Sequence, residues 1–555
     1  MVKTQENDRS LNFVIGVMIL GSILAKISGL IKIQVLTWVF GIQSRDLDLF
    51  NAANIIPEFI FSIIVLGGLN AILIPLFVKN EKQKEQFEKT FFTILNLFLI
   101  FFISLAIITI LFANPLVLLL NHLFSINLSA EEMKKFEELL KILMLSPIFL
   151  STSSLITSVL QAKKKFIFTS ITTLAYNIGF VLGIIVAYYY DKNVIFVAWG
   201  TVIASMFHLI IQIPELLRYI NNYKPTIDLH NKELISSLKQ IFPRLIGVSA
   251  EYIGIIFQNF ISLGLAYGSL NALKIAISLR DMAIGIIGIP IAQSVFPFLS
   301  EEKVKNVHNN QTLIYGIKIL FILLFPILSI FIVLNTPIVI FLFGLNESNY
   351  TGISIVSLLI EILAITIITS SLNGILNRVY YALGDIKTTT YISIFILILN
   401  ILLSFSLVHI FRIFVSPTFN IFSLQINWTI ETTESQVAIA GIATTISLCS
   451  IINNILLIFF LKKKHKLELK FLSLILKKKL VNFFITTLLG FLLYMYTSRY
   501  IESVFLVILI NSIFIVLSFY TISKIIKDDD IVIIDKYIIR AYLYIKSKTN
   551  FIKFN

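Results

Sequence analysis

Lys26 and Lys32 stand inside an otherwise almost uncharged run from Leu11 to Phe40. The run is long enough to cross a bilayer, for which about 20 apolar residues suffice. A lysine near the middle of a membrane helix costs roughly 2.5–3.5 kcal/mol on insertion scales, so it is expected to face a wet cavity or an anion. Snorkelling to a headgroup layer is open to Lys32, near the outer end of the run. It is difficult for Lys26, fifteen residues inside. The chemistry this pair suits is reception of an anion in the interior of a transporter.

Other polar residues fall within apolar stretches. Arg280 and Asp281 lie inside the expected eighth span, with Lys274 within two turns of them. Adjacent residues on a helix point about 100° apart, so Arg280 and Asp281 need not pair with each other. Arg280 is a candidate anion ligand and Asp281 a candidate holder of a neighbouring cation; the bland alternative is a buried pairing with another helix. Glu251 and Glu361 are carboxylates at membrane depth that could couple transport to protons, or simply pair. Asn54, Asn70, Asn177 and Asn400 either hydrogen-bond between helices or touch substrate. The prolines Pro57, Pro75, Pro290 and Pro297 free backbone carbonyls and permit bends.

The elements that would carry these residues are membrane helices. The chain has 555 residues, 57% hydrophobic and 14% charged, with mean hydropathy +0.91. That composition is outside the range of soluble domains and indicates a polytopic, all-α membrane protein. The first 40 residues read as a span rather than a cleavable signal, because the apolar stretch is too long and no small-residue cleavage site follows. Cys449 is the only cysteine, which excludes disulfides within the chain and thiolate metal sites. Six scattered histidines show no ligand spacing, and no nucleotide-binding motif is present. No metal, cofactor or nucleic-acid partner is expected. The net charge of +14 reports membrane topology instead.

Fourteen spans are expected, near 11–40, 50–78, 90–113, 136–161, 166–190, 193–217, 240–266, 271–298, 311–343, 352–376, 388–411, 436–461, 480–498 and 502–526. Loops after even-numbered spans carry most of the lysine and arginine, including Lys163 to Lys165 and eight lysines between Lys462 and Lys479. The asymmetry puts both termini in the cytoplasm. Tyr188, Tyr189 and Tyr190 end the fifth span at the outer face, where aromatic rings prefer the headgroup level. The tail from Ile531 to Phe554 mixes Ile, Tyr and Lys as an interfacial helix would, or as a loose basic tail would. The lysine-rich linker reads as a topology determinant that binds anionic lipid, with a partner-docking surface as the alternative.

An internal repeat organises the spans. Pro75 and Pro297, each followed by a Glu-Lys pair, end the second and eighth spans 222 residues apart. Lys164 with Asn177, and Lys387 with Asn400, recur at an offset of 223. The chain therefore divides into a first lobe over 1–218 (spans 1–6), a cytoplasmic linker over 219–239 and a second lobe over 240–461 (spans 7–12). A basic linker over 462–479, spans 13 and 14 over 480–526 and a basic tail over 527–555 complete it. Parallel repeats of this kind characterise transporters with substrate between the halves.

The residues also resemble a known family. Gly29 to Lys32, Phe40-Gly41, Asp48-Leu-Phe50, Ile56-Pro57 and Ile74-Pro75-Leu-Phe77 follow the order of the amino-terminal signature of the MurJ (MviN) family. The stretch Arg378-Val-Tyr-Tyr381-Ala-Leu-Gly-Asp385-Ile-Lys387-Thr388 is similar to that family's cytoplasmic motif before its eleventh span. Members are lipid II flippases of the multidrug/oligosaccharidyl-lipid/polysaccharide exporter superfamily. The resemblance implies alternating access to a lipid-linked diphosphate, with Lys26, Lys32, Lys274, Arg280, Asp281 and Asn54 as substrate-binding residues. It adds Asn400 and Thr444 to Glu251 and Glu361 as candidate coupling residues; membrane lipids are the expected partners, and a monomer the expected state.

Several positions depart from the family pattern. The family's second-span arginine falls on Phe61 and its nearby glutamate on Leu66; its eighth-span arginine falls on Ser278. A cation site of some members falls on Gln258, Asn400, Ser404, Ala440 and Thr444, without its carboxylates. Those departures leave three alternatives open: a flippase for another polyprenyl-diphosphate-linked glycan, a multidrug antiporter, or a scaffold without transport.

Overall fold

Helix formation follows from the apolar runs, since at membrane depth every backbone N–H and C=O must be satisfied within its own segment. A computed structural model describes residues 21, 23–64, 70–79, 83–163, 165–220, 225–228, 249–304, 311–344, 350–414, 437–467, 470–532 and 535. All regular structure among them is helical. The first three helices are α1 (Ile23–Phe40), α2 (Arg45–Ile64) and α3 (Asn70–Lys79). There follow α4 (Lys84–Leu111), α5 (Ala113–Leu123), α6 (Ala130–Leu143) and α7 (Ser146–Ala162). Next are α8 (Phe166–Tyr189), α9 (Ile195–Ile210), α10 (Ile213–Leu216), α11 over 249–263 and α12 (Ser269–Ala283). The remainder are α13 (Ile289–Val304), α14 (Gln311–Val333), α15 (Asn335–Phe343), α16 (Tyr350–Leu383), α17 (Ile386–Phe414), α18 (Ile439–His465), α19 (Lys470–Tyr500) and α20 (Val504–Ile525).

Twelve helical stretches among the described residues are long and apolar enough to span a membrane. They match twelve of the fourteen expected spans. The other two, the second and the seventh, coincide with α2–α3 and α11, where residues 65–69 and 240–248 lie outside the described set. The tail from residue 536 also lies outside it.

The chain forms two compact units. The first comprises residues 1–275, 346–352 and 393–442. Its core is built where α2, α6, α8, α9 and α11 meet, around Leu47, Phe50, Leu140, Ile184, Val197 and Phe260. The α8–α9 pair approaches with almost nothing between the backbones. A Cβ at Gly183 would lie 2.4 Å from the Gly200 Cα, and one at Gly179 would lie 2.7 Å from the Ala204 Cα. Small residues four apart on one helix are what permit such packing in lipid. Gly441 of α18 makes the same kind of approach, its Cβ position 2.7 Å from the Leu407 carbonyl carbon on α17.

The second unit comprises residues 276–345, 353–392 and 443–555. Here the last two spans, α19 and α20, pack on α14 around Val333, Leu334 and Ile515. Polar ties lock that packing: the Ser329 and Thr487 hydroxyls meet at 2.9 Å, and the Asn482 amide donates to Phe519 O and Ser523 Oγ. At its end the buried Lys479 ammonium meets Asp528 at 2.5 Å, and Lys318 meets Asp530 at 2.7 Å. Lys479 therefore serves as an internal counter-ion rather than as part of a docking surface. Burying its charge is tolerable only because a carboxylate is buried with it.

Between α12 and α13 the eighth span opens into a π turn, Ile284–Gly288. Pro290 has no N–H to offer the Ile286 carbonyl, and its ring crowds that carbonyl, so the turn widens.

Candidate functional site

Lys32 sits on α1 where its ammonium is held over two rings of α8, 4.9 Å from the Phe180 centroid and 5.7 Å from that of Tyr176. Aromatic faces offer a cation a partly desolvated seat without neutralising it. Glu58 on α2 acts electrostatically on both Lys32 and Tyr176. Helical spacing places Glu58, Phe59 and Ser62 on one side of α2. Tyr252 of α11 meets that side, its ring 6.4 Å from Phe59 and its hydroxyl hydrogen-bonded to Ser62. Lys32, Glu58, Tyr176, Phe180 and Tyr252 thus surround one polar locus in the first unit. Below Tyr176, His208 stacks edge-on at 6.5 Å and its Nδ1 meets Ser153 Oγ at 2.6 Å. Gln212 closes this network by donating to Ser153 Oγ and accepting from Thr157.

The remaining expected residues are distributed around this locus and away from it. Lys26 is exposed on α1, with no hydrogen bond or ion pair among the described residues. Asn54 and Lys274 are half-buried, and Glu251 is exposed beside Tyr252. Arg280 and Asp281 do pair with each other. The guanidinium curls along the helix so that Nε and Nη2 both reach Asp281 Oδ1, at 2.9 and 2.7 Å. The length of the arginine side chain overrides the angular separation of the two Cα positions. Glu361, in the second unit, accepts from Asn335 Nδ2 at 3.3 Å. Thr444 is half-buried.

The residues at the family's cation site include no carboxylate. Gln258 Nε2 donates to Asn400 Oδ1 at 3.1 Å, tying one amide to the other. Ser404 is fully buried and its hydroxyl has no partner among the described residues. No group of three or more His, Cys, Asp or Glu among the described residues could hold a metal. These five positions offer neutral oxygens without the carboxylate that usually anchors a hard cation.

Two latches frame the spans. At the expected outer end, the Asp48 carboxylate accepts from the Gly268 and Asn271 backbone N–H groups at 2.6 and 2.8 Å. Asn271 returns a bond to the Ile42 carbonyl, and Arg45 donates to Leu263 O and Glu132. Gly268 has φ +81 and lies so close that a Cβ would stand 2.2 Å from the Gln43 Cα, which only glycine permits. At the expected inner end, Asp385 receives Lys464 Nζ at 2.8 Å, His465 Nε2 at 2.9 Å and Thr388 Oγ1 at 2.8 Å. Burial would push this carboxyl up, but those hydrogen bonds outweigh it and hold Asp385 well below the usual carboxylate range. Tyr380 joins the clamp, its hydroxyl bonded to Leu457 O. The Arg378–Thr388 motif is thereby given a physical task, tying the α16–α17 turn to the end of α18.

Residues 38–515 match the family model for lipid II flippase MurJ. The chain belongs to the MurJ family. Curated MurJ relatives agree. The probable lipid II flippase MurJ of Buchnera aphidicola subsp. Schizaphis graminum is 26% identical over 396 residues, covering 70% of this chain and 76% of the relative. That of Borreliella burgdorferi is 26% identical over 385 residues, covering 68% and 74%. Among solved structures, lipid II flippase MurJ in an inward closed conformation superposes with TM-score 0.72 at 20% identity, over 92% of this chain and 99% of that one. An inward-facing multidrug resistance MATE transporter of the MOP superfamily gives 0.61 at 15% identity, over 80% and 96%. Both likenesses establish the MOP-type fold.

Reasoning from the sequence passed over Glu58, Tyr176 and Tyr252 of this MurJ-family chain. Glu58 had a usable signal, a carboxylate one residue past Pro57 inside an expected span. The tyrosines had none, because an aromatic in a membrane helix is ordinary until the helices are assembled.

Proposed function

We propose that the chain is a lipid II flippase, moving an undecaprenyl-diphosphate-linked peptidoglycan precursor from the inner to the outer leaflet of a bacterial cytoplasmic membrane. The observation that carries this reading is the match of residues 38–515 to the MurJ family model. Lys32, seated between aromatic faces, supplies the chemistry. It works without enzymatic catalysis, as a monomer among membrane lipids, with both termini cytoplasmic.

Lys26, Lys32 and Lys274 attract the diphosphate, with Asn54 as a neutral hydrogen-bonding partner. An ammonium is a point charge rather than a bidentate fork, so it binds phosphate with less geometric demand than the guanidinium it replaces. Arg280 exchanges the Asp281 oxygen for a phosphate oxygen. The isoprenoid chain stays in lipid, since moving it into a polar space costs about 0.8 kcal/mol per methylene. Alternate opening of the two six-span halves at their inner and outer ends carries the headgroup across. The Asp48 latch would release at the outer end and the Asp385 clamp would hold the inner turn in shape.

The membrane potential supplies direction. An anion leaving a negative interior gains about 2.3 kcal/mol per charge per 100 mV, so two net charges gain about 4–5. No cation needs to travel with it, in keeping with the amide pair at Gln258 and Asn400. The decisive experiment is rescue of a bacterium depleted of its own lipid II flippase. Growth should be restored by the wild-type chain and lost with Lys26→Gln plus Lys32→Gln at equal membrane abundance. Failure of the wild type despite good expression would overturn the assignment.

A further inference from the structure

A second concave site lies within the second unit, remote in sequence from the first-span lysines. Phe296 of α13 and Gly374, Asn377, Arg378 and Tyr381 of α16 line a cavity of about 390 Å³, within the range of roughly 300–1,000 Å³ usual for ligand sites. Its chemistry is one-sided. The five lining residues contribute one full positive charge and no carboxylate.

The arginine is positioned for a ligand. Arg378 Nη1 donates to Gly374 O, one turn back, at 2.8 Å. The glycine leaves the helix surface bare there: a Cβ at 374 would stand 3.5 Å from that same Nη1. The guanidinium therefore lies folded on its own helix, half-buried, with its remaining donors unbonded among the described residues. Asn377 is oriented by its bond to Asn373 Oδ1 at 3.0 Å. Tyr381 and Phe296, 49% and 37% exposed, form an aromatic rim.

Depth selects the ligand. Arg378 is five residues from the end of α16 at Leu383, a rise of about 7.5 Å. Asp385, with its partner Lys464, lies just beyond. By the expected spans, that end of the helix reaches the level of lipid phosphates, where tyrosine rings also concentrate. A fixed arginine fork with an aromatic rim and no acid suits a phosphate ester better than a neutral sugar or an amine.

We infer that the Arg378 cavity binds the phosphate of a lipid headgroup at the cytoplasmic face. The site shares no residue with the substrate locus assigned above, and only its diphosphate arm rests on that reading. Its occupant is either an anionic phospholipid or a polyprenyl diphosphate waiting to enter.

The test uses the full-length chain carrying Phe296→Trp, reconstituted in phosphatidylcholine vesicles, with the unsubstituted chain as the background for its other tryptophans. Brominated phosphatidylglycerol should quench the new tryptophan several-fold more than brominated phosphatidylcholine. Arg378→Gln should erase that preference, and Arg378→Lys should keep a weaker one, with both variants checked for an unchanged melting profile. Relief of quenching by micromolar farnesyl diphosphate assigns the cavity to the diphosphate class; quenching that resists it assigns the bilayer phospholipid. Equal quenching by both lipids, unaltered by farnesyl diphosphate and by either Arg378 substitution, would overturn the proposal.

Discussion

Asn177 and Asn400, at equivalent places in the two repeats, each set a side-chain amide over a glycine of another helix. Asn177 Nδ2 lies 3.8 Å from where a Gly29 Cβ would be and donates to Ser28 Oγ at 2.8 Å. Asn400 Oδ1 lies 3.7 Å from the corresponding point on Gly254 and accepts from Gln258. Two asparagines 223 residues apart thus make a similar helix contact.

These amides should act mainly as interhelical ties. Asn177→Leu and Asn400→Leu are each expected to cost about 0.6–1.7 kcal/mol, the range for hydrogen bonds between membrane helices. Thermal unfolding in detergent would measure it. A loss of transport with no change in melting would show instead that the amide touches substrate.

Helix spacing at α8 and α9 gives a sharper contrast. Gly183→Ala forces a Cβ to within 2.4 Å of the Gly200 Cα, so a destabilisation of about 1–3 kcal/mol is expected. Gly29→Ala meets nothing nearer than 3.8 Å and should change the melting point little. Equal effects from the two would refute the packing described.

At the first-unit locus, Lys32→Arg should support growth in the depletion strain and Lys32→Gln should not. Glu58→Gln removes the opposing charge and is expected to tighten binding of farnesyl diphosphate several-fold. Weaker binding by Glu58→Gln would mean that the carboxylate orients Lys32 rather than competing with the anion.

The inner clamp should depend on pH in a stated direction. Asp385 has a depressed folded pKa, so its stabilisation is present above the unfolded value near 4 and is lost as pH falls below it. Asp385→Asn should lower stability by about 1–2 kcal/mol between pH 5 and 7.5, a figure discounted because Lys464 is half exposed. The difference from wild type should shrink on acidification below about pH 4. A difference that grows on acidification would contradict the assignment.

The outer latch can be read by labelling. In a Cys449→Ser background, Gln43→Cys should react slowly with an impermeant thiol reagent added outside. Asp48→Ala should speed it severalfold by removing the acceptor of the Gly268 and Asn271 N–H groups. Unchanged labelling would separate this contact from gating.

Hydropathy along the chain was enough for the class and for the twelve spans that the described helices match, because insertion into a bilayer responds to each segment nearly by itself. Lys26 and Lys32 were legible for the same reason, as charges where lipid disfavours them. What each side chain faces depends on how a helix is rotated and which rotamer its neighbours leave open, and only tertiary packing decides that. It set Lys32 over Tyr176 and Phe180, brought Glu58 and Tyr252 beside it, bent Arg280 back onto Asp281 and joined Gln258 to Asn400. It also turned Lys464 and Lys479 from linker charges into the partners of Asp385 and Asp528, since a buried carboxylate needs a neighbouring cation wherever the fold can bring one.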